Sequence, residues 1–210
     1  MNKCWIFDFD GTLINSRPLL NKCFEKVTKK LAPERLQISK NILIGPPLRQ
    51  TVIKILGDPN HQLIDEFIKC FVKIHDENAH LGIKPYPFVH ETLLKLHKKG
   101  SKMAIATNKR LVPTLKIIKY LKWYNFFSHI ECSDSDEKVR DKKQMVERII
   151  CSDNDFKTSY MVGDTKNDGL SAKENKILFI KASYGYGSKE IWKNIPIHKS
   201  INNLREIEKV

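Results

Sequence analysis

The segment that decides the fold lies near the start of the chain and reads Trp5-Ile6-Phe7-Asp8-Phe9-Asp10-Gly11-Thr12-Leu13. Its first residues, together with Cys4 before them, form a short apolar run that predicts a buried strand. Two acidic residues separated by one position follow this run. Side chains two positions apart on extended backbone point to the same side. We therefore expect Asp8 and Asp10 to face one site immediately after the strand.

The next part of the chain, from about residue 15 to 82, has helical periodicity and no convincing strand. Apolar residues recur three or four positions apart in three segments. These segments are 17–32, 48–56 and 63–72. The sequence therefore predicts a block of helices that follows the first strand.

From Pro85 onward the pattern changes to strands that alternate with helices. Strands are predicted at 103–106, 127–132, 159–162 and 177–180, and helices at 88–99, 111–121, 142–151 and 167–174. Such alternation is typical of a parallel sheet covered by helices on both faces. The sequence therefore predicts an α/β fold with a Rossmann-like parallel-sheet core of residues 1–14 and 83–210. Residues 15–82 are predicted to form an α-helical cap inserted after the first strand.

The composition is that of a globular protein. Of the 210 residues 41% are hydrophobic and 29% are charged, which is enough apolar material for a buried core. The longest unbroken apolar runs have about four residues, whereas a membrane span needs about 20. We therefore expect a soluble, cytoplasmic protein. The cysteines (Cys4, Cys23, Cys70, Cys132 and Cys151) include no C-x-x-C pair, so we expect reduced, mostly buried thiols.

The chain is basic, with a formal net charge of +13. Only 7 of its 37 basic residues are arginine, and the lysines are spread along the whole chain in nothing longer than pairs. Proteins that read nucleic acid concentrate arginine and aromatic side chains on one element. The positive charge therefore indicates a solvated surface, and a nucleic-acid partner is not expected.

Polar residues follow three of the predicted core strands at their carboxyl ends. Thr107-Asn108 follows the second strand and Gly163-Asp164 the fourth, with Asp168 about one helical turn later. Open α/β sheets bind their ligands at this edge. Together with Asp8 and Asp10 after the first strand, these residues make four acidic side chains and one hydroxyl that are predicted to converge there.

Carboxylates that lie so close together raise one another's pKa unless a cation balances them. Oxygen-rich sites with few protein ligands suit Mg²⁺. Lys142, at the start of a predicted helix, is expected to add a second positive charge. A metal ion, a nucleophilic carboxylate and a second carboxylate for proton transfer suit phosphoryl transfer through an aspartyl-phosphate.

Three motifs in this order resemble those of the haloacid dehalogenase superfamily. They are Asp8-x-Asp10-Gly11-Thr12-Leu13, Ala106-Thr107-Asn108-Lys109 and Val162-Gly163-Asp164-x-x-x-Asp168. The resemblance is strongest to phosphatases of phosphoglycolate-phosphatase type, which carry a helical cap after the first motif. It extends to Ile44-Gly45-Pro46-Pro47-Leu48-Arg49, Tyr86-Pro87, Tyr184-Gly185-Tyr186-Gly187 and Ile201-Asn202-Asn203-Leu204.

This resemblance implies a role for each acidic residue of the motifs. Asp8 is expected to attack phosphorus and to bind Mg²⁺. Asp10 is expected to protonate the leaving oxygen, to activate water afterwards and to offer its backbone carbonyl to the metal. Asp164 is expected to complete the metal site, and Asp168 to ligate the metal or to orient a water bound to it.

The remaining members of the expected site would bind the phosphoryl group. The resemblance implies that the Thr107 hydroxyl and the backbone amides of Asn108 and Gly11 bind its oxygens. The cap is expected to determine specificity. Arg49, after the stiff Gly45-Pro46-Pro47 turn, either binds a substrate anion or is solvated helix surface.

The lysine of the expected site departs from the family pattern, because its usual Lys-Pro-x-Pro setting is absent. The local sequence is Arg140-Asp141-Lys142-Lys143-Gln144-Met145-Val146. Its spacing from the apolar pair Met145-Val146 favours Lys142, with Lys143 as the second candidate and Lys138 as a remote third.

These motifs predict a Mg²⁺-dependent phosphatase of a small phosphorylated metabolite. Phosphoglycolate, a sugar or polyol phosphate and a nucleotide all stay open as substrates, and the sequence does not distinguish a monomer from a dimer. One alternative is a phosphotransferase that resembles β-phosphoglucomutase, and a second is a non-catalytic binding or scaffold protein of the same fold.

The histidines have no metal-ligand spacing and are expected at the surface or in the core. The aromatic residues Trp123, Tyr124, Phe126 and Phe127 are expected in the core.

Overall fold

A computed structural model describes residues 3–42, 44–135 and 139–210. Its centre is a six-stranded parallel sheet in the spatial order β5-β4-β1-β6-β7-β8. The strands are β1 (Trp5–Phe7), β4 (Met103–Thr107), β5 (His129–Cys132), β6 (Tyr160–Gly163), β7 (Leu178–Ala182) and β8 (Lys199–Ile201). Two further strands, β2 (Ile14–Asn15) and β3 (Lys84–Pro85), pair with each other in an antiparallel ribbon.

Eight α-helices accompany these strands in the described ranges. They are α1 (Arg17–Leu31), α2 (Leu36–Lys40), α3 (Leu48–Leu56), α4 (Ile64–Asn78), α5 (Val89–Lys98), α6 (Leu111–Tyr120), α7 (Lys142–Ser152) and α8 (Lys166–Glu174). Short 3₁₀ turns lie at Pro33–Arg35, Tyr124–Phe126, Asn154–Thr158, Tyr186–Lys189 and Leu204–Lys209. The predicted fold class, a parallel α/β sheet with flanking helices, is confirmed.

The sheet is buried on both faces, and β1 shows how. Trp5 and Phe7 pack on one face, in a cluster that α5 and α6 cover. Cys4 and Ile6 pack on the other face, against α7 and α8. Because successive side chains point to opposite faces, a strand covered on both sides needs an unbroken apolar run. This is why the run before Asp8 predicted a strand.

The strand order determines where the site lies. From β1 the chain first moves to β4 and β5 on one side and then returns to β6 on the other side of β1. The direction of winding therefore changes at β1. A crevice opens beyond the carboxyl ends of the strands at such a switch point. Asp8 stands in the middle of this crevice.

The helices α1 to α4 form a cluster with its own hydrophobic core, to which we refer as the cap helices. Phe24 of α1 stacks on Phe71 of α4, with ring centroids 4.3 Å apart. Val52, Ile55 and Phe67 are fully buried in the same cluster. Among the cap helices, α1, α3 and α4 thus each bury an apolar stripe in this cluster.

The β2–β3 ribbon joins the two connections between the sheet and the cap helices. Ile14 pairs with Pro85 and Asn15 with Lys84. The sequence predicted no strand in 15–82, and Asn15 is the exception, because a two-residue strand leaves no periodicity to detect. The predicted boundaries of core (1–14 and 83–210) and cap (15–82) stay a prediction, and this ribbon lies at both of them.

No helix in the described ranges is long and apolar enough to cross a membrane. All five cysteines, each of them in these ranges, are free thiols, with Cys4, Cys23 and Cys132 buried. Among the aromatic residues expected in the core, Trp123 and Phe127 are buried, whereas Tyr124 is exposed.

Candidate active site

Three carboxylates meet at the carboxyl ends of β1 and β6. Asp8 follows β1, and its backbone amide donates a hydrogen bond to the Val162 carbonyl at 2.9 Å, which continues the strand pairing by one residue. Asp164 follows β6, and Asp168 lies in the first turn of α8. One oxygen from each carboxylate lies within 4.8 Å of the others, and all three residues are buried. The structure therefore brings together the three aspartates whose side chains were predicted to share a metal site.

The Asp164 carboxylate is held by groups from two distant segments. Its Oδ1 accepts a hydrogen bond from Thr12 Oγ1 at 3.1 Å. Its Oδ2 accepts from the backbone amides of Tyr186 and Gly187. Three donor atoms thus orient this side chain, which leaves it little rotational freedom.

Asp168 is held by the start of its own helix. Its Oδ2 accepts hydrogen bonds from the backbone amide and the hydroxyl of Thr165, at 2.9 and 2.7 Å. Thr165 and Asp168 form a capping box, which satisfies amides at the helix N-terminus. The local sequence therefore orients the carboxylate and starts α8 with the same contacts.

Lys142 supplies the positive charge of the site. It is the first residue of α7, which begins with a capping box of Asp141 and Gln144. Its Nζ donates to Asp8 Oδ1 at 2.5 Å and to the Ala106 carbonyl at 2.9 Å. The same Nζ lies 3.0 Å from Asp168 Oδ1.

The second candidate lysine lies elsewhere. The Lys143 side chain is 51% exposed and faces Glu174 at 4.0 Å, whereas that of Lys142 is 2% exposed. Lys138, the third candidate, lies outside the described residues. Of the two described candidates, only Lys142 reaches the carboxylates.

The buried charged groups shift one another's pKa values. Burial raises the pKa of Asp8 well above its usual range, and the charges of Asp168 and Asp164 add to this against the opposing Lys142. Burial and the Asp168 charge raise the pKa of Asp164 to about 7. Burial disfavours the Lys142 ammonium, but Asp168 and Asp8 outweigh it, so the pKa of Lys142 rises above its usual value. Three carboxylates share one ammonium, so negative charge is in excess.

This arrangement fits a hard divalent cation such as Mg²⁺. The ligand set consists of carboxylate oxygens, the donors that Mg²⁺ prefers. Asp168 Oδ1 is buried and has no polar partner among the described residues apart from the Lys142 ammonium 3.0 Å away, so a second lone pair of this oxygen is available to an ion. Asp8, Asp164 and Asp168 are therefore the residues that would hold the metal through side chains.

The Asp10 side chain is not one of these three grouped carboxylates and pairs with Lys109. Lys109 Nζ lies 3.3 and 3.2 Å from its two carboxylate oxygens. Both side chains are largely buried, that of Lys109 almost completely. Sequence reasoning quoted Lys109 within a motif but gave it no role. Its position directly after Thr107-Asn108 was the only signal, and nothing in the spacing indicates that the side chain turns back to Asp10.

The predicted phosphoryl-binding groups lie at the same edge, with one difference. Thr107 ends β4, is buried, and its hydroxyl oxygen accepts a hydrogen bond from the Lys109 amide at 3.2 Å, so its proton is available to a ligand. Asn108 Nδ2 donates to the Gly45 carbonyl at 3.4 Å, a link to the cap helices. The Gly11 amide donates to the Ile14 carbonyl at 2.9 Å. This bond commits the Gly11 amide to a turn, which weighs against the phosphoryl-binding role predicted for it.

Gly11 instead has a conformational reason to be glycine. Its φ is +91°, and a Cβ atom there would lie 2.4 Å from Asp164 Oδ2. Any side chain would therefore strain the turn and displace the Asp164 carboxylate.

A cavity separates these groups from the cap helices. Asp8, Asp10, Thr107 and Lys142 line its lower surface. We call these residues, together with the buried Asp164 and Asp168 beside Asp8, the floor. We call the residues of the cap helices and the loop before α3 that line it the roof: Leu20, Phe24, Ile44, Leu48, Thr51, Phe71 and His75. The floor is charged, whereas the roof is mostly apolar.

Arg49 lies outside the roof. Its side chain is 58% exposed and pairs with Asp65, itself 83% exposed, at 2.6 Å. It does not line the cavity, although its neighbours Leu48 and Thr51 do. Of the two alternatives for Arg49, its position in this structure is that of solvated helix surface.

Tyr186 connects the floor to the start of the cap helices. Its backbone amide binds Asp164, as described above, while its hydroxyl oxygen accepts hydrogen bonds from the backbone amides of Ser16 and Arg17, at 2.8 and 3.0 Å. The Arg17 guanidinium lies over its ring, 4.4 Å from the centroid. Sequence reasoning quoted Tyr186 within a segment but did not assign these contacts.

Comparisons with known proteins agree with this geometry. A family model described as haloacid dehalogenase-like hydrolase matches residues 5–182. A pyrophosphatase PpaX from Anoxybacillus flavithermus is 30% identical over 171 residues, which cover 80% of this chain and 77% of the relative. A phosphoglycolate phosphatase from Aquifex aeolicus is 30% identical over 185 residues, which cover 86% and 84%. The structure of a haloacid dehalogenase-like family hydrolase from Streptococcus pneumoniae has a TM-score of 0.81 at 19% identity, over 99% and 97% of the two chains. This chain therefore belongs to the haloacid dehalogenase-like hydrolase family and is a phosphatase of that family.

Proposed function

We propose that this protein is a Mg²⁺-dependent phosphatase that hydrolyses a small phosphorylated metabolite through an aspartyl-phosphate on Asp8. One observation carries the proposal: the Asp8 carboxylate lies at the bottom of a cavity, bound by Lys142 at 2.5 Å, and Asp10 lies in the same cavity. A nucleophile, a cation and a second carboxylate are the groups that a two-step phosphoryl transfer needs.

The reaction has two steps that use the same two aspartates. In the first, an Asp8 oxygen forms a bond to phosphorus, the bond from phosphorus to the leaving oxygen breaks, and Asp10 gives that oxygen a proton. In the second, Asp10 takes a proton from water, whose oxygen attacks the phosphorus of the aspartyl-phosphate. The bond from phosphorus to Asp8 then breaks, and inorganic phosphate and free Asp8 result.

The other residues of the floor bind and orient the phosphoryl group. The Thr107 hydroxyl donates to one phosphoryl oxygen, and Lys142 neutralises part of the charge on the others. Lys109 orients the Asp10 carboxylate through both of its oxygens. When bound at Asp8, Asp164 and Asp168, Mg²⁺ supplies positive charge that stabilises the transferring phosphoryl group.

The roof limits the size and exposure of the substrate. Its apolar side chains exclude water from the charged floor, which strengthens the electrostatic interactions there. A cavity enclosed between sheet and helices suits a small leaving group. Phosphoglycolate, sugar or polyol phosphates, nucleotides and pyrophosphate are the classes to test, the last because two relatives with 30% identity are named pyrophosphatases.

The proposal is tested by phosphate release from a panel of these compounds, with and without Mg²⁺, for the wild-type protein and Asp8→Asn. We expect metal-dependent release that falls by about a thousandfold or more in the variant, because no nucleophile remains. Asp155→Asn is a matched control, because Asp155 is exposed and pairs only with Lys102 among its described contacts. Undiminished release by Asp8→Asn, or no release from any compound by a folded protein, would contradict the proposal.

A further inference from the structure

His75 lies in the roof and has no part in the reaction described above. It belongs to the last turn of α4, and its side chain is only 4% exposed. Its ring stacks on that of Phe71, with centroids 5.5 Å apart and an interplanar angle of 10°. The imidazole is therefore held in one orientation at the edge of the cavity.

One nitrogen of this ring lacks a partner. Nδ1 lies 3.5 Å from Asp76 Oδ1, whereas Nε2 is buried and has no hydrogen-bond partner among the described residues. Buried polar atoms are nearly always hydrogen-bonded in folded proteins. An unpartnered nitrogen on a residue that lines a substrate cavity indicates that a ligand atom completes its bonding.

The surroundings of His75 determine which of its ring nitrogens can accept a hydrogen bond. Burial lowers the pKa of His75 to about 2, and the charges of Lys109 and Arg110 add to the effect, so the ring is neutral at physiological pH. A neutral imidazole carries one proton, and the Asp76 carboxylate favours it on Nδ1. Asp76 itself accepts a hydrogen bond from Arg110, which holds the carboxylate beside His75. Nε2 is then an acceptor and needs a donor from the ligand.

The donor must belong to the leaving group. The phosphoryl group binds on the floor, and Asp10 protonates the leaving oxygen, so the rest of the substrate extends from Asp10 towards the roof. Leu20, Phe24 and Phe71 offer apolar contact to a short carbon chain there. A hydroxyl group on that chain is the donor that a neutral histidine acceptor would recognise.

We propose that His75 is a specificity-determining residue whose Nε2 accepts a hydrogen bond from a hydroxyl group of the leaving alcohol. The inference rests on the proposed function and narrows the class of substrates that the enzyme would prefer. Among phosphomonoesters, the enzyme would prefer those of short hydroxylated alcohols over those with the same carbon skeleton and no free hydroxyl.

The experiment compares glycerol 1-phosphate with propyl phosphate in the wild-type protein, His75→Phe and His75→Gln. The phenylalanine keeps the buried ring stacked on Phe71 but removes both nitrogens, whereas glutamine restores an acceptor oxygen. The readout is the ratio of the two kcat/KM values within each variant, so a general loss of activity or of folded protein cancels.

We expect the wild-type protein to favour glycerol 1-phosphate by about tenfold or more, the worth of one hydrogen bond in a buried site. The ratio should fall to within about twofold in His75→Phe and recover in part in His75→Gln. A wild-type protein without this preference, or an unchanged ratio in His75→Phe, would overturn the proposal.

A binding measurement separates this inference from the proposed function. Calorimetry with Mg²⁺ gives the affinity of both compounds for Asp8→Asn and for the double variant with His75→Phe, without turnover. A preference for glycerol 1-phosphate that the second substitution removes supports the subsite even if the wild-type protein releases no phosphate. Equal affinity of Asp8→Asn for both compounds would overturn the subsite even if the phosphatase activity is found.

Discussion

The floor and the roof of the cavity differ in how their polar groups are hydrogen-bonded. On the floor, Lys142 and backbone or hydroxyl donors hold the carboxylates of Asp8, Asp164 and Asp168. In the roof, apolar side chains predominate, and the His75 Nε2 has no partner in the described chain. The carboxylates of the floor are thus held by groups of the protein, whereas in the roof a buried nitrogen has no such partner among the described residues. From this difference we expect substitutions in the floor to change the reaction rate and substitutions in the roof to change substrate preference.

After the loss of Asp8 itself, the largest expected effect concerns the positive charge of the floor. Lys142→Met leaves Asp8 and Asp168 without their buried counter-charge, which should cost about 3–5 kcal/mol of stability in the absence of metal. It should also lower kcat about a hundredfold, because a donor to the transferring phosphoryl group is lost. Kinetics and chemical denaturation measure the two effects.

Lys143→Met is the matched control for that substitution. Its side chain is half exposed and forms only a distant pair with Glu174, so both quantities should stay close to wild type. Equal losses in the two variants would contradict the assignment of Lys142 to the floor.

A smaller effect is expected where the floor meets the roof. Lys109→Met releases the Asp10 carboxylate from its bidentate contact, and we expect kcat to fall about tenfold because the proton donor is less well oriented.

Arg49→Ala, on the outer surface of the cap helices, should change kcat/KM by less than about twofold, since exposed pairs contribute little. If Arg49→Ala lowered kcat/KM by more than Lys109→Met does, this result would contradict the surface position of Arg49 and favour an anion-binding role for it.

An effect smaller than that of Lys109→Met is expected in the pH dependence of metal binding to the floor. The pKa of Asp164 is raised to about 7, so the folded protein binds this proton more tightly than the unfolded chain does. The contribution to stability is therefore present at low pH and is lost as pH rises through about 7. Mg²⁺ needs the deprotonated carboxylate, so its affinity should rise about threefold between pH 6.5 and 7.5.

Calorimetric titration with Mg²⁺ at constant ionic strength checks this pH dependence. Metal-free unfolding at the same two pH values is the control, and there stability should fall as pH rises. An affinity that stays constant or decreases over this interval would show that Asp164 does not titrate there.

The floor could be predicted from the sequence because its positions follow from strand geometry. Asp8, Thr107 and Asp164 each come directly after an apolar run, and parallel strands bring such positions to one edge. Lys142 could be favoured over Lys143 from its spacing to Met145-Val146. The described structure brings all four of these residues together, and their catalytic roles stay predictions.

The roof could not be predicted, because its contacts join residues that no local pattern relates. The His75 position follows from how α4 packs on α1, and Arg49 faces outward because of the rotation of α3 about its axis. The return of Lys109 to Asp10 likewise depends on a side-chain conformation. The sixth strand of the sheet, Lys199–Ile201, was also missed, because it contains one apolar residue and therefore shows no apolar run.

The two ends of Tyr186 lie in different parts of the molecule. Its amide touches Asp164, and its hydroxyl touches the chain at Ser16 and Arg17, where the first cap helix begins. A rotation of that helix start relative to the sheet must therefore break the hydroxyl contacts, turn the ring or pull the amide from Asp164. Tyr186 therefore couples the orientation of the first cap helix to the position of the Asp164 carboxylate.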